Sequence, residues 1–373
     1  MKKRLTSLLL ICAMALSLAA CSSIYEKEYT VIEDYVPVQN QPTSLGDKVT
    51  VRNYSGLRQA IQNMVLQGRE SLGIVFDQDY EGDSAQDLAN ACWQVRTENA
   101  LCAYCVENIS YQMSTVMTNE EAELHVVYGD TGCSVEDIVA MPYATSIDTA
   151  LYDTLANGGR QLVMLISYST YTAASMEATL SRFYRLNPML SPGEPRFSVS
   201  VFSGTGMQKL YDISIDYGMA ESTRSQRLKE LRELEPFRGM GISRMNEREK
   251  LLALCNYLCH SCTVSDEGSS VYDALVKGEA DSEGLALGVV ALCRELGIEA
   301  QAIYGQRSWQ DHWWNIVVID GSRYHLDMSL YAGGSLDTLE LCSDQQFWGA
   351  YRWDTSAYLP CPGSMSNAEL MGE

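Results

Sequence analysis

Between Gly278 and Asp327 the chain holds three short runs whose order and spacing leave few folds open to it. The first, Gly278-Glu279-Ala280-Asp281-Ser282-Glu283-Gly284-Leu285-Ala286, opens a helix over Glu283 to Leu296 that stops at Gly297. The second, His312-Trp313-Trp314-Asn315, begins a strand that reaches Ile319, and the third, Tyr324-His325-Leu326-Asp327, ends the strand from Ser322. Gly297-Ile298-Glu299-Ala300 leads into an earlier strand, Ala300 to Tyr304. A helix followed by antiparallel strands is an α+β arrangement.

These runs resemble the transglutaminase-like superfamily. In that family a Gly-x-x-x-Cys-x-Gly-Tyr-Ala segment supplies a thiol at a helix start, a His-x-Trp-Asn strand supplies the base, and an Asp closing the next strand orients it. The resemblance covers roughly the last third of the chain, and Ser343 to Phe347 with Trp353-Asp354 is similar to the family's closing segment. It implies a papain-like α+β domain over 240–362. By position Ser282 stands where the thiol is expected, His312 matches the base and Asp327 the orienting carboxylate. Trp314, Asn315 and Tyr272 are then expected to line or support a groove for peptide or amide groups, such as those of a cell wall. An active member would be an amide or peptide hydrolase or an acyltransferase, with no cofactor and no metal.

The serine divides the readings. A thiol at a helix N-terminus beside an imidazolium ionises at neutral pH and attacks a carbonyl, while freed helix N–H groups hold the oxyanion. A hydroxyl cannot join that ion pair. Ser282 would react only if His312 removed its proton during attack, with Asp327 fixing the tautomer. In the other reading Asp281-Ser282 is a helix cap, contributing about 1 kcal/mol without chemistry, and the domain binds without cutting. No other cysteine takes over: Cys293, on the same helix, lies about 16 Å along the axis. His325 is expected on the strand face away from Asp327, apart from the reacting centre.

The chain begins Met1-Lys2-Lys3-Arg4, continues through an apolar stretch to Leu18 and reaches Leu18-Ala19-Ala20-Cys21. This reads as a secretory signal over residues 1–20, too short to remain as a spanning helix. Its end resembles a bacterial lipobox, which implies a lipid on Cys21 and a membrane-anchored, extracytoplasmic protein; an ordinary signal peptide is the alternative. Residues 21–50 then form a tether. Formal charge is −21, and cleavage after Ala20 removes three cationic residues more. So acidic a body excludes nucleic acid as a partner. No second apolar run is long enough to span a bilayer.

Residues 51–235 read as an internal duplication with a period near 90 residues, the copies at about 51–130 and 141–219. Leu57-Arg-Gln-Ala-Ile61 aligns with Ile147-Asp-Thr-Ala-Leu151, Gly68-Arg69 with Gly159-Arg160, and Tyr128-Gly129 with Tyr217-Gly218. Each copy is expected to run helix, strand, helix, strand, strand, and the two to pack side by side or to swap strands into a shared sheet. Cys102 and Cys105 are either a local disulfide or free buried thiols; their counterparts Ser191 and Glu194 show that no crosslink is required. Cys255, Cys259 and Cys262 recur at helical spacing and read as core, not as zinc ligands. With no phosphate loop or metal cluster, this half reads as a binding or spacing module.

Overall fold

The computed structural model describes residues 43–45 and 48–372. The expected signal peptide, Cys21 and most of the expected tether lie outside the described residues. The first unit runs β1 (Thr43–Leu45), β2 (Lys48–Asn53), α1 (Tyr54–Leu66), β3 (Ser71–Glu81), α2 (Ser84–Glu98), α3 (Ala100–Cys105), β4 (Val106–Val116) and β5 (Asn119–Tyr128). Its sheet has the order β1-β2-β3-β5-β4, with β2 parallel to β3 and the other pairs antiparallel. Alternation along the strands turns Leu72, Ile74 and Phe76 of β3 and Ala122, Leu124 and Val126 of β5 into one core. Leu57, Ile61 and Met64 of α1 and Leu88, Ala91 and Val95 of α2 recur every three or four residues and cover it.

The second unit runs β6 (Val139–Tyr143), α4 (Ile147–Ala156), β7 (Gln161–Tyr168), α5 (Ala173–Leu186), β8 (Arg196–Ser203) and β9 (Lys209–Asp216). Its order is β6-β7-β9-β8, with β6 parallel to β7 and the rest antiparallel. Strand order and sense therefore repeat those of β2, β3, β5 and β4. Both units carry a strand that the sequence reading lacks, ahead of the first helix. Lys48–Asn53 was hidden at the end of an expected tether, and Val139–Tyr143 is a short, largely exposed edge strand containing Pro142, which gives little apolar alternation.

The units keep separate sheets and meet through α3, which packs against β8 and β9. Tyr104 lies edge-on to Phe202 with ring centroids 5.1 Å apart, and Thr205 N–H donates to Glu98 O at 2.7 Å. Gly204 permits this approach: a Cβ there would lie 2.0 Å from Glu98 O. The helix α3 runs directly into β4 at Val106. Cys102 and Cys105 are separate thiols on it, both buried, and burial pushes them up to about 12 and about 11. In this structure they follow the free-thiol alternative.

The remainder contains α6 (Glu221–Arg232), α7 (Glu247–Ser261), β10 (Thr263–Val264), β11 (Glu279–Ala280), α8 (Ser282–Leu296), β12 (Ala300–Arg307), β13 (Gln310–Ile319), β14 (Ser322–Leu326), α9 (Asp344–Phe347), β15 (Tyr351–Arg352) and α10 (Asn367–Met371). Its antiparallel sheet has the order β14-β13-β12-β15. The helix α8 is buried from Gly284 to Cys293. Val317, Ile319 and Leu326 join its core, whereas Ile303, Trp314 and Ile316 form a second layer with Phe347 and Tyr351. Cys255, Cys259 and Cys262 are all buried, as their spacing implies, with Cys255 in the α7–α8 core. The expected end at 362 is too early: Met365 bridges Leu341, and Leu370 of α10 joins the α7–α8 core, because α7 needs cover on its outer side. No helix among the described residues is long and apolar enough to cross a membrane.

Gly305 on β12 faces His312 in register, and a Cβ there would lie 2.2 Å from Arg352 O and 2.7 Å from the Trp314 ring. Gly305→Ala is expected to push β15 or the indole away and to cost about 2 kcal/mol, the usual range for overpacking. A shift of the urea midpoint at constant slope measures it. An unchanged midpoint contradicts this packing.

Candidate functional site

The two-stranded pair β10–β11, with Val264 opposite Ala280, delivers the chain to the start of α8. Asp281 caps that helix, accepting from Gly284 N–H at 2.9 Å, and its second oxygen takes the Ser269 hydroxyl. Capping therefore falls to Asp281, and Ser282 at the first helical position is released from it. The N–H groups of Ser282 and Glu283 make no backbone hydrogen bond among the described residues, which leaves two donors at the positive end of the helix dipole.

Strand pairing sets the other half. The β13–β14 ladder ends at Asn315 opposite Leu326, and just beyond it the two strands carry His312 and Asp327. His312 Nε2 donates to Asp327 Oδ2 at 2.8 Å, with the imidazole side chain 13% exposed and the carboxylate 1%. Tyr351 OH donates to the same oxygen at 2.7 Å. The other oxygen, Oδ1, accepts Ser329 N–H at 3.0 Å and its hydroxyl at 2.6 Å. Burial alone would raise the Asp327 pKa, but His312, Ser329 and Tyr351 together hold it below the ordinary carboxylate value. Since Nε2 carries the proton of a neutral ring, Nδ1 is the basic nitrogen, and it makes no hydrogen bond among the described residues.

Ser282 comes to this pair without bonding it. Its Oγ accepts the Trp313 N–H at 3.2 Å, so the residue beside His312 holds the hydroxyl, while no hydrogen bond joins Ser282 to the His312 ring. The three residues read from the sequence thus assemble at one end of β13, with the serine one contact short of a relay.

The supporting residues divide differently from expectation. Trp314 is 1% exposed and lies beside His312, with ring centroids 6.3 Å apart and planes at 19°, so it is core against the imidazole and not an exposed lining residue. Asn315 points to the α8 side, where Nδ2 donates to Ala286 O at 2.9 Å and ties strand to helix. Tyr272 belongs elsewhere: its hydroxyl donates to Glu230 and Arg227 lies 4.9 Å over its ring, so it fastens α6 to the domain. His325 is on the same sheet face as Asp327, because residues two apart in a strand share a face. Its expected place on the opposite face is thereby corrected.

The second sheet unit reaches the site, which a spacer would not do. Arg185 of α5 places its guanidinium 4.9 Å over the Trp313 ring, and Nη2 donates to Glu194 at 3.2 Å. Its Nε is buried without a partner. Beside Ser282, burial together with Glu194 and Asp281 pushes the Glu283 carboxyl up to about 7, against the pull of Arg185. Arg185 aligns with Arg96 in the internal repeat, but nothing in the sequence marks its contact with Trp313 or that of Tyr351 with Asp327, which are made only by folding; Ser329, two residues after a carboxylate that needs donors, is legible as a turn.

The three residues His325, Asp344 and Cys361 bring ligand-type atoms within 4.8 Å of one another. They do not fit a metal. Trp314 Nε1 donates to His325 Nδ1 at 3.0 Å, so the ring proton sits on Nε2, where it serves Asp344 at 2.8 Å. A ligating nitrogen would have to be bare, with the opposite nitrogen as donor.

Residues 239–328 match the sequence profile of the Transglutaminase-like superfamily. No curated protein matches the chain. Among solved structures it is similar to a TGase at 13% identity and a TM-score of 0.23, over 57% of this chain and 63% of that one. It is similar to a proposed cysteine protease from Cytophaga hutchinsonii at 13% identity and a TM-score of 0.24, over 46% and 73%. A proposed protease from Parabacteroides distasonis aligns at 7% identity and a TM-score of 0.22, over 72% of this chain and 41% of the other. The chain thus spans less than two thirds of the TGase.

Glu283 gives a test of the site's electrostatics. Its folded pKa is raised, so the folded state holds its proton more tightly than the unfolded chain; stability is lost as pH rises from the usual carboxylate range through about 7. Glu283→Gln is expected to be as stable as the parent at pH 4. At pH 8 it should be more stable by about 1–2 kcal/mol, after allowance for solvent screening. Parallel denaturation curves at the two pH values decide it.

Proposed function

With residues 239–328 forming a transglutaminase-like domain, we propose that this is a lipid-anchored bacterial surface protein whose domain binds peptide or amide groups of the cell wall with its covalent chemistry lost or strongly weakened. The observation that carries this reading is the Ser282 hydroxyl, which accepts from the Trp313 amide and makes no hydrogen bond to His312. A thiolate needs no proton transfer at the moment of attack. A hydroxyl does, and here it accepts from the Trp313 amide and makes no bond to Nδ1. What persists is a framework suited to holding a carbonyl: two free helix amides, a basic nitrogen and a buried orienting carboxylate. Lipid anchoring rests on the Leu18-Ala19-Ala20-Cys21 end of the signal, and the acidic body agrees with a cationic or amine-bearing partner.

The rival is a Ser-His-Asp amidohydrolase, peptidase or acyltransferase, and it has its own support in the unpaired, Asp327-oriented Nδ1 of His312. A fluorophosphonate probe separates the two. Binding without chemistry predicts no more labelling of the intact protein than of Ser282→Ala; labelling at Ser282 that disappears in His312→Ala would establish the hydrolase instead. Ser282→Cys is the converse measurement. The introduced thiol, at a helix N-terminus beside His312, should alkylate at pH 7 at least tenfold faster than native thiols such as Cys255 and Cys361, which burial pushes up to about 12. Equal rates would mean that the cleft is not organised as described.

A further inference from the structure

Behind the His312–Asp327 pair lies a second imidazole–carboxylate pair, His325 and Asp344, which the function proposed above leaves unused. His325 is 0% exposed, donates from Nε2 to Asp344 Oδ1 at 2.8 Å, and accepts the Trp314 indole N–H on Nδ1 at 3.0 Å. An indole nitrogen only donates, so the tautomer is determined. Asp344 is anchored in turn, its Oδ2 accepting Cys361 N–H at 2.9 Å. Burial lowers the His325 pKa in spite of Asp344, which keeps the ring neutral and suits it to holding geometry.

Two arms run from His325 to the site. Along one, the indole that it fixes lies nearly parallel to the His312 ring, at 6.3 Å and 19°. Along the other, His325 stacks on Phe347 at 4.5 Å and 12°, Phe347 stacks on Tyr351 at 4.0 Å and 19°, and Tyr351 OH donates to Asp327 at 2.7 Å. The contacts close into a circuit from Asp344 through His325 and Trp314 to His312, and from Asp327 through Tyr351 and Phe347 back to His325. We infer that His325 and Asp344 are positioning residues: they fix Trp314 and Phe347, and through them the orientation of the His312 ring against Asp327. The stacked rings fill the space into which the imidazole would otherwise swing, and the Nδ1 acceptor keeps the buried indole N–H satisfied. This rests on His312 and Asp327 being the site pair. It does not depend on whether Ser282 reacts.

Downfield imidazole N–H resonances of the intact protein test it. The wild type should show two, one for each Nε2–H held by a carboxylate. In His325→Leu the first is lost with the ring, and the His312 proton should exchange with solvent at least tenfold faster. In His325→Gln, whose amide can still accept from the indole and donate to Asp344, exchange at His312 should stay within twofold of the parent. Should His325→Leu not fold, Asp344→Asn serves, since one amide oxygen cannot accept from both His325 and Cys361; faster exchange at His312 is again expected. Leu124→Ala, which loosens the distant first sheet, should leave the resonance unchanged. A His312 proton that exchanges at the parental rate in a folded His325→Leu or Asp344→Asn overturns the positioning role alone. Absence of a His312 resonance in the wild type overturns the site pair, and with it this inference.

Discussion

A carboxylate buried at 1% exposure is the constraint around which the C-terminal sheet is arranged. An isolated charge in that position would neutralise itself or unfold its surroundings. Asp327 avoids both because four donors meet it: an imidazole from β13, a phenol from β15, and the amide and hydroxyl of Ser329. They come from three segments, so satisfying one side chain pins three pieces of chain. The order β14-β13-β12-β15 can be read as what brings those donors to one point.

The same accounting explains what the serine changes. Every part of the framework apart from residue 282 is held by contacts that do not involve it. Asp281 caps the helix, Asn315 ties β13 to α8, and Asp327 keeps the His312 tautomer. The framework around residue 282 therefore does not depend on its side chain. The hydroxyl finds a partner in the strand amide that lies just past the end of the β13–β14 ladder.

The duplicated half contributes more than distance. Its first copy meets the second through α3, and the second meets the C-terminal domain through α5, with Arg185 over Trp313 and Leu186 O accepting from Arg294 at 3.2 Å. Charges on one side of the cleft thus belong to a unit whose own sheet lies elsewhere. Glu283 is pushed up partly by Glu194, so the electrostatics beside Ser282 are a property of two units together.

Local signals were enough for much of this. The helix from Ser282, the stop at Gly297 and the strands through Asp327 follow from capping residues and from the change of apolar period at Gly297, which act over a few residues and so can be read along the chain. The triad order and the repeat of the N-terminal unit were legible for the same reason. Edge strands such as Val139–Tyr143 were not, since an exposed strand carries no alternation to detect. Nor were Tyr351 on Asp327, Trp314 on His325, or the loss of Tyr272 to α6, because these contacts join residues far apart in sequence. By itself the sequence put Ser282, His312 and Asp327 in their order along the chain. Only the tertiary structure decided that the hydroxyl bonds an amide in place of the imidazole, since a hydrogen bond is settled by angstroms between segments and sequence carries no such distances.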